Sequence, residues 1–201
     1  MDKINYDKVM IKEIESFNGE RKSILLHSCC GPCSSSVIER LKEFFDITVI
    51  YYNPNIEPLE EYEHRKNVQI GFLNKLGIPY IDAPYNNDYF HEITKGLENE
   101  PEGGVRCHVC YGFRLKYVAN VAKENNFDYF CTTLTVSPYK NSDIINKIGE
   151  SIGNQYGVKY LLSDFKKREG YKRSIELCKK YCLYRQNYCG CLYAKGDDDE
   201  E

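Results

Sequence analysis

Ile24-Leu25-Leu26-His27-Ser28-Cys29-Cys30-Gly31-Pro32-Cys33-Ser34-Ser35-Ser36 is an apolar run followed by a turn that opens a helix. The amphipathic pattern from Val37 to Phe45 continues that helix. Gly31 lets the backbone bend sharply, and Pro32 fits the first helical turn, where its missing N–H costs nothing. The thiols of Cys29, Cys30 and Cys33 therefore gather at a helix N-terminus. Unpaired N–H groups and the helix dipole there favour thiolate over thiol. Such a nest suits a metal, a metal cluster or a redox partner.

Around this turn the pattern alternates. A leading helix is expected from Tyr6 to Asn18, with Val9, Met10, Ile14 and Phe17 apolar, ahead of a first strand at Ser23 to His27. Asp46 to Tyr52 is rich in β-branched and aromatic residues and predicts a second strand. Pro58 to Leu76 reads as a helix stopped by Gly77-Ile78-Pro79, and Tyr80 to Tyr85 as a third strand. A helix from Asn86 to Leu97 follows, then a helix opening near Cys107, with Leu115, Val118, Ala119 and Ala122 on its inner side. Phe130 to Val136 and Lys159 to Phe165 complete five strands, separated by a helix at Asp143 to Tyr156 and followed by one at Gly170 to Tyr181. This order predicts a single Rossmann-like α/β domain over 1–196, with a mostly parallel sheet, helices on both faces and a Cys-rich C-terminal segment. The acidic run Asp197 to Glu201 is expected to be a disordered tail. Ligands in such sheets sit beyond the carboxyl ends of strands, where the cysteine turn lies.

Composition narrows the chemistry. No apolar run approaches the roughly 18 residues that cross a bilayer, and the N-terminus lacks a signal-peptide core, so no membrane partner and a cytoplasmic location are expected. Cytosolic thiols stay reduced, so ten cysteines among 201 residues read as metal ligands or redox groups rather than structural disulfides. A net charge of −3 argues against a uniformly basic coat for nucleic acid.

Cys29-Cys30 and Cys107-x-x-Cys110 supply four thiols from two helix starts, a set that suits zinc or an iron–sulfur cluster. Adjacent cysteines are unusual for structural zinc, which favours iron–sulfur. Cys33 is open to three roles: redox partner, ligand of a second metal, or spare thiol. Cys189-Gly190-Cys191 is a C-x-C, in which a disulfide would be strained and easily reduced; a metal half-site or unrelated thiols are the plainer alternatives. Cys178 and Cys182 fit partly buried helix cysteines, and Cys131 fits the core. His27 and His108 flank the cysteine pairs, more in keeping with turn hydrogen bonding than with catalysis. Basic residues concentrate from Lys159 to Arg185, among them Lys166, Lys167, Arg168, Lys172 and Arg173. With neighbouring tyrosines they could grip RNA phosphates and stack a base, or simply form a solvated face.

Taken together, Leu26 to Ser35, Arg106-Cys107-His108-Val109-Cys110-Tyr111, Thr132 to Asn141 and Tyr188-Cys189-Gly190-Cys191 resemble the epoxyqueuosine reductase QueH family. The resemblance runs from about Ser23 to Tyr193. It implies reduction of the epoxide of epoxyqueuosine at the tRNA wobble position, without cobalamin and with an external electron donor. It implies a 4Fe-4S cluster on Cys29, Cys30, Cys107 and Cys110, and a redox-active disulfide between Cys189 and Cys191. Family members can place one additional iron beside the cluster, and some carry Asp where Cys33 stands, which makes Cys33 the candidate ligand here. Two rivals are a tRNA sulfur-transfer enzyme and a non-catalytic, zinc-stabilised RNA-binding module. The first needs a phosphate-gripping loop where this chain has Ser28-Cys29-Cys30-Gly31-Pro32-Cys33.

Overall fold

The computed structural model describes residues 4–194. The acidic run Asp197 to Glu201 lies outside the described residues. Five strands, β1 (Lys22–His27), β2 (Phe45–Tyr51), β3 (Tyr80–Asp82), β4 (Tyr129–Thr132) and β5 (Lys159–Tyr160), form one sheet in the order β3-β2-β1-β4-β5. All four pairings are parallel. Among the described residues, seven α-helices connect and flank them: α1 (Tyr6–Glu15), α2 (Gly31–Leu41), α3 (Leu59–Leu76), α4 (Asn87–Thr94), α5 (Val105–Glu124), α6 (Ser142–Tyr156) and α7 (Gly170–Tyr181). This is the expected Rossmann-like arrangement.

Successive strand residues point to opposite faces, so complete burial of Ile24, Leu25 and Leu26 means that both faces of β1 are covered. Val49 and Ile50 on one side and Phe130 and Cys131 on the other extend the same core. Cys131 is thus a core residue, as its apolar setting predicts. α2 packs along α7, and α5 along α6.

The chain builds outward from β1 to β2 and β3, then crosses back to β4, which pairs on the other side of β1 with His27 opposite Thr132. The carboxyl ends of β1 and β4 thus bracket a topological switch point, the usual ligand crevice of open parallel sheets. The cysteine turn occupies it.

Three expected strands are shorter than their sequence patterns, β3 pairing only over Tyr80–Asp82 of the expected Tyr80 to Tyr85. β4 ends at Thr132 and Thr133–Val136 winds into a 3-10 turn, because the Thr132 hydroxyl accepts the Leu134 N–H. A continuous apolar run has no periodicity to reveal that break. β5 pairs only over Lys159–Tyr160; beyond it the Asn146 side chain accepts the Ser163 N–H at 2.9 Å and donates to the Ser163 carbonyl at 2.8 Å. A side-chain amide there replaces the ladder.

Candidate metal and redox site

Cys30 is the N-cap of α2, and its sulfur accepts the Cys33 N–H at 3.4 Å, the position usually held by a Ser or Asp oxygen. With Pro32 in the first turn, this cap folds three thiols onto one another. The sulfurs of Cys29, Cys30 and Cys33 all lie within 4.8 Å, and those of Cys29 and Cys30 are 3.8 Å apart. Sulfur-to-sulfur hydrogen bonds, from Cys30 first and then Cys33, hold the Cys29 thiol well below its ordinary range. Burial pushes Cys30 up to about 12, and hydrogen bonding to the Cys29 and Cys30 sulfurs pushes Cys33 well up. Three sulfurs this close together form a group that could hold a metal ion.

Neighbouring segments fix this turn. Thr133, just past β4, accepts the Cys29 N–H at 3.2 Å and donates its hydroxyl to the Cys29 sulfur at 3.4 Å. Asn53 donates to the Ser28 carbonyl at 2.9 Å. On α3 the Gln69 side-chain oxygen accepts from the Ser28 and Ser34 hydroxyls at 2.7 and 3.1 Å. His27 is fully buried between the Thr132 hydroxyl and the Tyr52 carbonyl, the plain turn-bonding role.

α5 brings the second cysteine pair. Cys107 accepts the Gly103 N–H and packs with Cys29 against Tyr111, Leu134 and Ile145. Cys110 is buried, and burial pushes its thiol up to about 11. One turn later Arg114, only 2% exposed, sets a guanidinium nitrogen 3.8 Å from the Cys110 sulfur and another on the Asn53 side chain. Among the described residues no carboxylate pairs with Arg114, and its Nε is buried without a partner. The sulfurs of Cys107 and Cys110 stand outside the 4.8 Å group formed by the first three.

Cys189 meets this centre from the C-terminal segment. A cavity of about 400 Å³ is lined by Cys29, Cys33, Cys189, Arg114, Lys140 and Tyr188, with further polar walls from Arg185, Gln186 and Asn187. Cys189 and Cys191 are free thiols, as are all ten cysteines. Cys178 is buried, whereas Cys182, which caps α7, is exposed.

The expected RNA-binding set, Lys166, Lys167, Arg168, Lys172 and Arg173, does not line the cavity, although Tyr171 and Ser174 beside it in sequence do. Most of its charge is engaged within the chain: Lys166 with Asp164, Arg168 with Asp7, Lys172 with Glu169, and Arg173 with Glu39 and Glu176. Lys159 pairs with Glu13 and does not line the cavity. Gln69, Thr133 and Arg65 were not legible as site residues. Arg114 carried a signal, a cation four residues after Cys110 on the inner side of a helix.

The profile of the epoxyqueuosine reductase QueH family matches residues 24–197. The chain is 49% identical to epoxyqueuosine reductase QueH of Staphylococcus epidermidis over 96% of its length and 85% of the relative's. It is 47% identical to the Streptococcus pyogenes protein of the same name, with 96% and 78% covered. It is 34% identical to the Thermotoga maritima one, with 86% and 90% covered. In fold it is similar to the U34-tRNA thiolase NcsA from Methanococcus maripaludis, with a TM-score of 0.54 at 16% identity, covering 94% of this chain and 69% of that one. Among the described residues no helix is long and apolar enough to cross a membrane.

Proposed function

Since the chain belongs to the epoxyqueuosine reductase QueH family, we propose that it reduces the epoxide of epoxyqueuosine at the tRNA wobble position to give queuosine and water. The observation that carries this reading is the convergence of Cys29, Cys33 and Cys189 on one cavity at the sheet's switch point. In this reading Cys29, Cys30, Cys107 and Cys110 hold a 4Fe-4S cluster, and Cys33 is a ligand for one additional iron. The donor set fits: thiolates are the usual cluster ligands, and the buried, carboxylate-free guanidinium of Arg114 needs anionic charge beside it. Bound there, the cluster would supply electrons singly and the extra iron a Lewis acid.

The chain's own groups do the rest. The cavity encloses the modified base against Tyr171 and Tyr188, and Lys140 adds positive charge beside it. The Cys189 and Cys191 thiols give up two electrons and two protons and join as a disulfide. Both C–O bonds of the epoxide break, a C=C bond forms, and the oxygen leaves as water. An external electron donor then reduces the disulfide. Phosphates of the anticodon loop dock along Lys166, Lys167, Arg168, Lys172 and Arg173, exchanging with the carboxylates that hold Lys166, Arg168, Lys172 and Arg173 in the free protein.

Anaerobically purified protein should be brown, with a broad visible absorption bleached by dithionite and iron in excess of the four a single cluster holds. Colourless protein carrying zinc would instead support an RNA-binding module without catalysis. The Cys189→Ser, Cys191→Ser double variant should keep its colour and lose turnover; full activity would remove the dithiol from the scheme.

A further inference from the structure

We infer that α3 is the spacer between the two thiol centres, with Arg65 the positioning residue that docks the Cys189-Gly190-Cys191 turn at a set distance from the Cys29–Cys33 turn. The inference rests on the reading of Cys189 and Cys191 as a redox pair. Arg65 and Gln69 lie one helical turn apart on one side of α3, roughly 6 Å along the axis. Both are buried, and each reaches a different cysteine turn. Gln69 holds Ser28 and Ser34 around the first thiols. Arg65 donates to the carbonyls of Cys189 and Tyr188 at 3.2 and 3.5 Å and lies 4.8 Å over the Tyr188 ring.

The docking is reinforced on every side. Glu61 orients the guanidinium at 2.6 Å, and the Tyr184 hydroxyl donates to the same carboxylate at 3.2 Å. The Glu57 N–H donates to the Gly190 carbonyl at 2.8 Å, and the Tyr188 hydroxyl donates to the Glu57 carbonyl at 2.9 Å. Gly190 has φ of +97°, and a Cβ there would lie 2.8 Å from Ile56 and 2.9 Å from the Arg65 Nη1. A residue with a side chain could not occupy the middle of this dithiol while Arg65 holds it. A mobile arm carrying two cysteines would need none of these contacts, whereas electron exchange between two centres needs a fixed separation.

The test uses iron-loaded full-length protein poised across a range of thiol–disulfide buffers. Alkylation and mass spectrometry read the Cys189–Cys191 couple and the alkylation rate of the reduced pair. Arg65→Met should speed alkylation of the pair roughly tenfold, the equivalent of one missing hydrogen bond to a charged group, and shift its midpoint. Arg65→Lys should recover part of the effect. Gly190→Ala, with Arg65 intact, should move both readouts in the same direction and keeps the test open if Arg65→Met does not fold. Gln69→Leu should lower iron retention and leave the pair's alkylation rate unchanged. A couple whose rate and midpoint are unaltered by Arg65→Met and Gly190→Ala would overturn the inference alone. A wild-type protein that forms no Cys189–Cys191 disulfide in any buffer would overturn the redox-pair reading and, with it, this inference.

Discussion

At the scale of single residues, the charge on Arg114 says most about the site. A guanidinium this buried is costly unless an anion stands beside it, and the nearest candidates are sulfurs. Arg114→Met should therefore lower the iron retained per chain on desalting. It should also make the midpoint potential of the bound centre more negative, because the reduced form loses its neighbouring cation; potentiometry on the same sample checks the sign. The four cysteines proposed as cluster ligands were legible from their spacing and their places at helix starts. Arg114 was half legible, through its offset from Cys110. Thr133 was not, because its hydrogen bonds with Cys29 depend on β4 ending one residue earlier, which an unbroken apolar run conceals. Gln69 and Arg65 were hidden for another reason. Each is a polar residue on a helix whose exposed and buried sides are weakly distinguished in sequence, and the partners that tie them to the cysteine turns lie 35 or more residues away.

Whole elements depend on close approaches that can be probed without touching the thiols. α6 sits on β5 through Gly149, where a Cβ would come within 2.6 Å of three atoms of the Tyr160 ring. Gly149→Ala should lower unfolding stability by about 1–3 kcal/mol through overpacking, read as a lower urea midpoint with an unchanged slope. The lead into β4 is tied to β1 by Asp128, whose carboxylate accepts the Ser23 N–H and hydroxyl, each at 2.8 Å. Those bonds, the backbone one first, hold the Asp128 carboxyl below its ordinary value. A carboxyl depressed on folding contributes stability above its unfolded pKa, and that stability fades as pH falls through the folded value. Asp128→Asn should thus cost at most about 1 kcal/mol at pH 7, given its exposure, and the two proteins should converge in stability as pH falls through the folded value. Strand and helix identities followed directly from periodicity. The lengths of β4 and β5 did not, because a threonine hydroxyl and an asparagine amide ended the ladders.

For the molecule as a whole, the alternation of elements was enough to predict the parallel sheet, since right-handed crossovers leave few alternatives. The charge map was less legible. Asp7 and Glu39 lie more than a hundred residues before Arg168 and Arg173, the cations of this stretch that they engage, so a basic stretch in the sequence is a set of ion pairs in the fold. Binding of tRNA should accordingly weaken with salt along a shallow slope. Lys167→Glu combined with Lys172→Glu should reduce affinity and flatten that slope further, by roughly 0.7 for each single-strand phosphate the protein no longer neutralises; filter binding across a salt series measures it. The central place of β1 has one more consequence. Its cysteine turn leaves the ribosome early, yet β4, α5 and the Cys189 segment that enclose it are made much later. At 5–20 residues per second, the three clustered sulfurs wait on the order of ten to thirty seconds without their enclosure. During synthesis the nascent chain is therefore most vulnerable to oxidants and stray metals at the segment on which its chemistry depends.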